Sequence, residues 1–369
     1  MSDLEGRLDA VLGKAVDRRR HVRHGLAGVA AVDRSWSWTG AHGVLDPDGT
    51  QATADARYPI ASVTKLFTAA VTMKLVEDGR LRLDDRMVDI LASETTSGLH
   101  VREGVDRTDE ITVEHLLGHT SGLADYYEGA PPGGRSAQAR LLAGEDAPMP
   151  FDEVLRTVRA MESHFAPQPI NAATRRAKYA DTNYQLLGAI LEQVTGQDLA
   201  ELFDGRIFQP LGLDATSSYP HPPQRGGSAE PDASVWAKDV VLNPAGALTF
   251  QKADGGIVST VADQLRFMQA LVSGDLFDDP GTFRHMGEHT NRIFFPVEYG
   301  LGVMRYAPAR WMSPLFPIPA IVGHTGSTAT WAFHCPDLDI VLAGAFDVAQ
   351  PPLPFRFLPH MLRAAAAEL

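Results

Sequence analysis

The pairing in this sequence with the clearest chemical potential is a serine followed three residues later by a lysine, Ser62 and Lys65. Apolar residues at helical spacing begin directly after Ser62, so both side chains are expected on one face of a helix, at its amino end. A serine in that position becomes a nucleophile when a neighbouring group takes its proton. The alternative is structural, with Ser62 as a helix N-cap and Lys65 as a solvated charge.

The position of Lys65 favours the chemical interpretation. A cation in the first turn faces the positive end of the helix dipole, which disfavours it by about 0.3–1 kcal/mol. The same dipole disfavours the protonated amine and favours negative charge developing on Ser62. We therefore expect Ser62 to attack an ester or amide carbonyl while Lys65 helps to take its proton.

Hydrophobic periodicity predicts the elements that must position this pair. Helices are predicted at 4–15, 63–79, 112–117, 151–161, 183–194, 199–208, 261–273 and 359–369. Strands are predicted at 26–31, 35–38, 300–306, 330–334 and 340–346, and surface loops at 130–150 and 219–232. Strands near both ends with helices between them indicate one sheet assembled from both ends of the chain, with a helical lobe inserted.

Composition limits the partners. The formal net charge of -13 over 369 residues argues against nucleic acid or an anionic membrane surface as a partner. No stretch approaches the roughly 18 apolar residues of a membrane span, and the first five residues include two acidic ones, Asp3 and Glu5, where a signal peptide carries basic residues. We expect a cytoplasmic protein without a membrane partner. The single cysteine, Cys335, excludes an intramolecular disulfide and is interpreted as a core residue.

Four segments in series make the sequence recognisable: IASVTKLFT at 60–68, LLGHTSGL at 116–123, YADTNYQLLG at 179–188 and GHTGS at 323–327. Together they resemble the penicillin-binding protein and class C β-lactamase superfamily, over most of the chain. The segment DGGIVST at 254–260 is typical of its esterase and peptidase members.

The resemblance implies an α/β (α+β) fold of the β-lactamase/DD-peptidase type, with an antiparallel sheet flanked by helices, a mostly helical lobe and the active site in the groove between them. We expect a single catalytic domain over 1–369. Its sheet lobe would comprise 1–61 and 252–369, and its helical lobe 62–251.

The resemblance also assigns expected roles. It implies that Ser62 is the nucleophile, Lys65 its base or proton relay, and Tyr179 the group that shuttles the proton to the leaving group. Without it, Tyr179 would be interpreted as a buried aromatic residue. A phenol is a useful base only if its pKa falls below the ordinary value near 10, and Lys65 and His324 are the cations expected to lower it.

The segment 323–327 resembles the strand that lines one side of the family's cleft, where lysine is common at the position of His324. If His324 acts electrostatically there, activity should respond to pH near 6–7. The resemblance implies that the backbone N–H groups of Ser327 and Ser62 form the oxyanion hole. Asp181, Gly326 and Trp331 are expected to contact the substrate.

Asp181 departs from the family pattern, which usually has asparagine at this position. A carboxylate accepts hydrogen bonds but cannot donate them, which puts recognition of a β-lactam amide in doubt. If Asp181 contacts Lys65, it favours the protonated amine and shifts the role of general base toward Tyr179. The alternative, weighed equally, is that Asp181 caps the following helix.

Two histidine patterns resemble zinc sites, HMGEH at 285–289 and the pair His115/His119. The glycine in the first and the missing third ligand argue against both, so no metal and no organic cofactor is expected.

The expected function is a serine hydrolase acting on a small-molecule ester or amide, D-amino-acid peptides included. Two alternatives remain open: a cytoplasmic acyltransferase or cyclase using the same acyl-enzyme, and a non-catalytic binding protein on the same scaffold. The oligomeric state is also open.

Overall fold

The computed structural model describes residues 2–145, 148–172, 174–238, 240–242, 245–313 and 317–367. The strands are β1 (His24–Ala31), β2 (Ser37–Gly43), β3 (Tyr58–Pro59), β4 (Val101–Arg102), β5 (Val105–Asp106), β6 (Ser217–Ser218), β7 (Val235–Ala237), β8 (Val240–Leu242), β9 (Ile257–Ser259), β10 (Asn291–Phe294), β11 (Val297–Tyr299), β12 (Met304–Tyr306), β13 (Ile321–Thr325), β14 (Thr330–Cys335) and β15 (Ile340–Phe346).

The helices are α1 (Ser2–Asp17), α2 (Thr64–Glu77), α3 (Met87–Ile90), α4 (Ser93–Thr96), α5 (Val113–Leu117), α6 (Ala137–Leu141), α7 (Phe151–Arg159), α8 (Asp181–Thr195), α9 (Leu199–Phe203), α10 (Gln209–Leu211), α11 (Ala245–Phe250), α12 (Val261–Ser273), α13 (Thr282–Met286) and α14 (Leu353–Ala366). A π-helical turn, Asp204–Phe208, joins α9 to α10. Short 3-10 turns lie at Ala61–Val63, Thr108–Glu110, Arg310–Met312 and Pro336–Leu338.

The central sheet has eight strands in the order β10-β11-β12-β13-β14-β15-β1-β2. Every neighbouring pair is antiparallel, and β1 lies beside β15, the last strand described. A smaller sheet joins β3, β9 and β6. The large sheet is therefore assembled from both ends of the chain, as predicted.

The two faces of the sheet bury different cores. On one face, side chains such as Ala332 and Val341 belong to the large core that also contains residues of α2, α8 and α12. On the other face, Trp331, Phe333 and Leu342 belong to a second core with residues of α1 and α14. Strands β1 and β15 are buried along their whole length, which explains why their sequences are apolar without alternation.

Several predicted elements differ in detail. The helix predicted at 261–273 has the same bounds in the structure, whereas the C-terminal helix begins six residues earlier than predicted, at Leu353, with Pro359 inside it. The last two residues predicted for that helix lie outside the described residues. Strands β10 and β11 were not predicted, and the strand predicted at 300–306 is confined to Met304–Tyr306.

Two features of the described residues bear on the predicted membrane and metal partners. None of the helices found there combines the length and the apolar character needed to cross a lipid bilayer. The same ranges contain no group of three or more His, Cys, Asp or Glu side chains arranged to hold a metal ion.

Candidate active site

Ser62 lies in a tight turn just before helix α2 rather than inside the helix. The turn spans Ala61–Val63 and leads directly into α2 at Thr64. Ala61 adopts a φ of +46°, a left-handed conformation that is unfavourable for any residue with a Cβ. A strained backbone next to a candidate nucleophile is typical of functional sites, where the surrounding structure holds it in place.

The Lys65 ammonium meets Ser62 as the spacing predicted. Lys65 Nζ donates to Ser62 Oγ at 3.1 Å, to Asp181 Oδ1 at 2.5 Å and to the backbone carbonyl of Asp254 at 2.8 Å. The side chain of Lys65 is fully buried and that of Asp181 is 6% exposed. All three ammonium protons therefore have acceptors, and the interpretation of Lys65 as a solvated surface charge is wrong.

The carboxylate of Asp181 overrides the helix dipole at Lys65. Burial acts to lower the pKa of Lys65, but the charges of Asp181 and Asp254 outweigh it, and the net shift is upward. The expectation that the dipole depletes the protonated amine is therefore wrong. Asp181 is the first residue of α8, and its carboxylate contacts Lys65, whereas no capping hydrogen bond to that carboxylate is found among the described residues. These contacts favour the role beside Lys65 over the capping role.

Two further buried carboxyls surround this ion pair, and the sequence analysis gave neither a role. Asp125 Oδ1 accepts the backbone N–H of Asp181 at 2.9 Å. Asp254 accepts hydrogen bonds from the Tyr126 hydroxyl at 2.8 Å and from the Gln185 amide at 3.0 Å. Burial, partly offset by Lys65, raises the pKa of Asp254 to about 7, and burial together with Asp181 raises the pKa of Asp125 well above its usual range.

Tyr179 completes the group around Ser62. Its phenol is within hydrogen-bonding reach of the Ser62 hydroxyl, and Lys65 Nζ lies 5.2 Å from the centre of its ring. Burial and the charge of Asp181 raise the pKa of Tyr179 well above 10. The expectation that Lys65 and His324 lower this pKa is therefore wrong, and Tyr179 is a neutral phenol.

The end of β13 packs directly against the Ser62 turn. A Cβ on Gly326 would lie 2.9 Å from the Ala61 Cβ and 3.0 Å from the Ile60 carbonyl oxygen, so only glycine permits this approach. The Thr330 hydroxyl donates to the same Ile60 carbonyl at 2.8 Å. Among the described residues, no hydrogen-bond acceptor is found for the backbone N–H of Ser62 or of Ser327. Two donors without an acceptor among the described residues therefore lie on segments that are in contact beside Ser62.

His324 is buried and neutral. Its Nδ1 lies 2.7 Å from the Thr325 carbonyl, which can only accept, so Nδ1 carries the proton. Its Nε2 then accepts from the Tyr299 hydroxyl at 3.0 Å, and that hydroxyl is 3.1 Å from the hydroxyl of Tyr184. Burial and the charge of Lys65 lower the pKa of His324 to about 3. The expected response of activity near pH 6–7 through His324 is therefore wrong.

Trp331 is not part of the site. The indole is 1% exposed and packs against Phe346 and Phe357, with ring centres 5.4 and 5.3 Å away. It belongs to the core on the face of the sheet that α1 and α14 cover, whereas Ile60 and Val63, which flank the Ser62 turn, belong to the other core. The expectation that Trp331 contacts the substrate is wrong, because alternate residues of a strand point to opposite faces.

A cavity of about 500 Å³ opens beside Tyr179 and is lined in part by Asp125, Glu128, His164 and Lys178.

The predicted loop 219–232 is hydrogen-bonded to the chain just before the Ser62 turn. There the buried Arg57 guanidinium donates to the Ser228 carbonyl at 2.7 Å, and its backbone N–H donates to the Asp232 carboxylate at 2.8 Å. This anchor was not foreseen from the sequence.

This fold and this arrangement belong to a known class. A family model described as Beta-lactamase matches residues 8–367, so the chain belongs to the Beta-lactamase family, and the predicted fold is confirmed. The chain spans about half the length of the curated relatives it matches.

Three similar proteins illustrate the range of the family. Penicillin-binding protein 4 of Amycolatopsis lactamdurans is 30% identical over 62% of this chain and 54% of its own length. Esterase EstB of Burkholderia gladioli is 31% identical over 58% of this chain and 51% of its own. The crystal structure of a D-stereospecific amidohydrolase from a Streptomyces species superposes with a TM-score of 0.69 at 26% identity, covering 94% of each chain.

Proposed function

We propose that this chain is a serine hydrolase that cleaves a small ester or amide through an acyl-enzyme on Ser62. The observation that carries the proposal is the 3.1 Å contact between the Ser62 hydroxyl and an ammonium that Asp181 and the Asp254 carbonyl hold in place. The names of the esterase and the amidohydrolase described above support the same reaction class.

In the proposed acylation, Ser62 Oγ forms a bond to the substrate carbonyl carbon and the bond from that carbon to the leaving oxygen or nitrogen breaks. The Ser62 proton passes to the Tyr179 oxygen while the phenolic proton of Tyr179 passes to the leaving group. One proton is transferred overall, and the phenol is neutral before and after the step. A raised pKa of Tyr179 suits such a relay, because no phenolate has to form.

Lys65 is proposed to act as a fixed cation rather than as the base. Its ammonium donates to Ser62 Oγ and stabilises negative charge that develops there during attack. The unpaired N–H groups of Ser62 and Ser327 are proposed to bind the carbonyl oxygen as it becomes an oxyanion. Removing one such donor typically lowers the rate by about 10²–10³-fold. Water then attacks the acyl carbon, and the proton path of the first step runs in reverse.

The experiment uses nitrophenyl esters of short acids and a fluorophosphonate probe with the purified chain. We expect a burst of nitrophenolate followed by steady turnover, one probe molecule bound per chain, and an intact mass raised by one acyl group. Ser62→Ala should lose all three signals. Equal rates in Ser62→Ala and the original chain would overturn the proposal.

Ser121 supplies a matched control, because it is the serine of the HTSG segment and contacts helix α8, which begins two residues after Tyr179. Its hydroxyl is fully buried and donates to Asn183 Oδ1 at 2.6 Å. Ser121→Ala should therefore still bind one probe molecule at residue 62. Peptide mapping of the labelled chain locates the adduct, and an adduct on Ser121 would contradict the assignment of Ser62.

A further inference from the structure

His119 lies under Tyr179 and binds the chain on both sides of it. The backbone carbonyl of His119 accepts the N–H of Lys178 at 2.9 Å, and its Nδ1 accepts the N–H of Ala180 at 3.2 Å. The rings of His119 and Tyr179 are in contact, with centres 4.4 Å apart. One residue therefore fixes the backbone before Tyr179, the backbone after it and the ring itself.

The neighbours of His119 determine which nitrogen carries the proton. The Ser121 hydroxyl donates to Asn183 Oδ1, which turns the amide nitrogen of Asn183 toward His119. Nδ1 of His119 then faces two donors, the Asn183 amide at 2.9 Å and the Ala180 N–H. It must be the unprotonated nitrogen, so the neutral ring carries its proton on Nε2. Burial, with the charge of Lys65, lowers the pKa of His119 well below 6.5.

Stability alone does not explain a histidine at this position. Nε2 is buried and has no hydrogen-bond partner within the described ranges, and the rings of Tyr179, Tyr184 and Tyr299 lie around it. A buried donor without a partner is unfavourable. The φ of +54° is also uncommon for a residue other than glycine. Two such features at one residue in contact with Tyr179 indicate a functional reason for keeping it.

We propose that His119 is the positioning residue of Tyr179, holding the phenol where it receives the Ser62 proton and passes its own to the leaving group. The inference rests on the proposed function, because the placement of Tyr179 matters for catalysis only if its phenol carries that proton. It assigns a specific purpose to the HTSG segment at 119–122, which is one of the segments that carry the resemblance to the family.

The test compares two leaving groups. An alkoxide or amine must be protonated as it leaves, whereas nitrophenolate leaves readily without a proton. In His119→Ala we expect kcat/KM, which reports acylation, to fall by about 10²-fold or more for an alkyl ester or amide, and by less than about tenfold for the nitrophenyl ester of the same acid. A residue with a merely structural role would lower both rates by the same factor.

Further variants identify Tyr179 as the group through which His119 acts. Tyr179→Phe should give the same dependence on the leaving group, and adding His119→Ala to it should cause little further loss.

His119→Asn keeps an acceptor near the position of Nδ1 and tolerates a positive φ, so it should regain most of the alkyl ester rate. Asn183→Leu leaves His119 in place but removes a donor that orients its ring. If His119→Ala does not fold, Asn183→Leu takes its place in the test. We expect it to show the same dependence on the leaving group, with a smaller loss.

His115 provides the control, because it is a buried histidine of the neighbouring helix α5 and both its nitrogens are partnered. Its Nδ1 accepts the N–H of Thr112 at 3.0 Å and its Nε2 contacts the Gln168 carbonyl at 2.5 Å. His115→Ala should lower the melting temperature and leave the ratio of the two ester rates unchanged.

The outcomes separate the two proposals. Equal losses on both esters in His119→Ala, or fully additive losses with Tyr179→Phe, would overturn the role of His119 while leaving the role of Ser62 intact. Hydrolysis that persists in Ser62→Ala would overturn the proposed function itself. A selective loss on the alkyl ester, absent from His115→Ala, supports both proposals.

Discussion

Two buried polar networks lie close to Ser62, and they compensate for the loss of hydration in opposite ways. One pairs a charged group with oppositely charged partners, and the other keeps its groups neutral. In one, the Lys65 ammonium donates to a carboxylate oxygen of Asp181 and to the backbone carbonyl of Asp254. In the other, the hydroxyls of Tyr184 and Tyr299 lead to the imidazole of His324. Every residue of both networks is at most 5% exposed.

The difference shows that burial alone does not decide whether a group is charged. Desolvation opposes the charged form of both Lys65 and His324, but only Lys65 has carboxylates as partners. The pKa of Lys65 therefore rises while that of His324 falls. The first network supplies a permanent cation next to Ser62, and the second supplies a rigid neutral support for the strand that carries Gly326.

The largest effect is expected from breaking the charged network. Lys65→Met leaves the buried Asp181 without its cation, and we expect the free energy of unfolding to fall by about 3–5 kcal/mol. The double variant Lys65→Met/Asp181→Leu removes both charges and should regain most of this loss without regaining activity. Urea denaturation of the three proteins measures the difference. A double variant as unstable as the single one would show that the ion pair is not the cause.

The neutral network should make the fold sensitive to acid. Histidine titrates near pH 6.5 in the unfolded chain, whereas His324 titrates at about 3 in the fold. Its contribution is fully present above pH 6.5 and is lost as the pH falls toward 3, by about 2 kcal/mol between pH 7 and pH 5. Lys65 has a raised pKa, so its contribution is present below pH 10.5 and is lost only at higher pH.

His324→Gln isolates the contribution of His324 to the pH dependence of stability, because glutamine does not titrate and can still accept a hydrogen bond. Unfolding free energies at pH 7 and pH 5 should differ by about 2 kcal/mol less in His324→Gln than in the original chain. The same pH dependence in both proteins would mean that His324 binds its proton as readily in the fold as in the unfolded chain, and the contrast between the two networks would not hold.

The smallest effect is expected within the neutral network. Tyr299→Phe removes the hydroxyl that donates to His324, and should lower the free energy of unfolding by about 1 kcal/mol. A double-mutant cycle with Tyr184→Phe should show coupling, because the two hydroxyls lie 3.1 Å apart. Strictly additive losses would argue that the two hydroxyls act independently.

Local patterns predicted those parts of the molecule that local forces determine. The contact between Ser62 and Lys65 follows from i, i+3 spacing, and the helix Val261–Ser273 follows from its apolar period and the Thr260 cap. Strands β10 and β11 have only four and three residues, too few for a clear alternation. They are defined by pairing with their neighbours rather than by their own sequence.

Long-range contacts account for what the sequence did not reveal. Asp125 and Asp254 are two of 46 acidic residues, and nothing in their local sequence marks them as buried beside Lys65. The orientation of Trp331 was equally hidden, because strand β14 is buried on both faces and the sequence does not say which face meets the helices. The roles of the site residues, the bounds of the two lobes and the cytoplasmic location stay predictions.

The Thr330 hydroxyl that holds the Ile60 carbonyl comes from 270 positions further along the chain. During synthesis on the ribosome, Ser62 and Lys65 emerge long before β13 and β14 exist to support their turn. Contacts of such wide sequence separation also slow folding, since a long loop must close before they form. A nascent chain therefore carries Ser62 in an unfinished setting, and we expect the proposed acylation of Ser62 only after the final strands have docked.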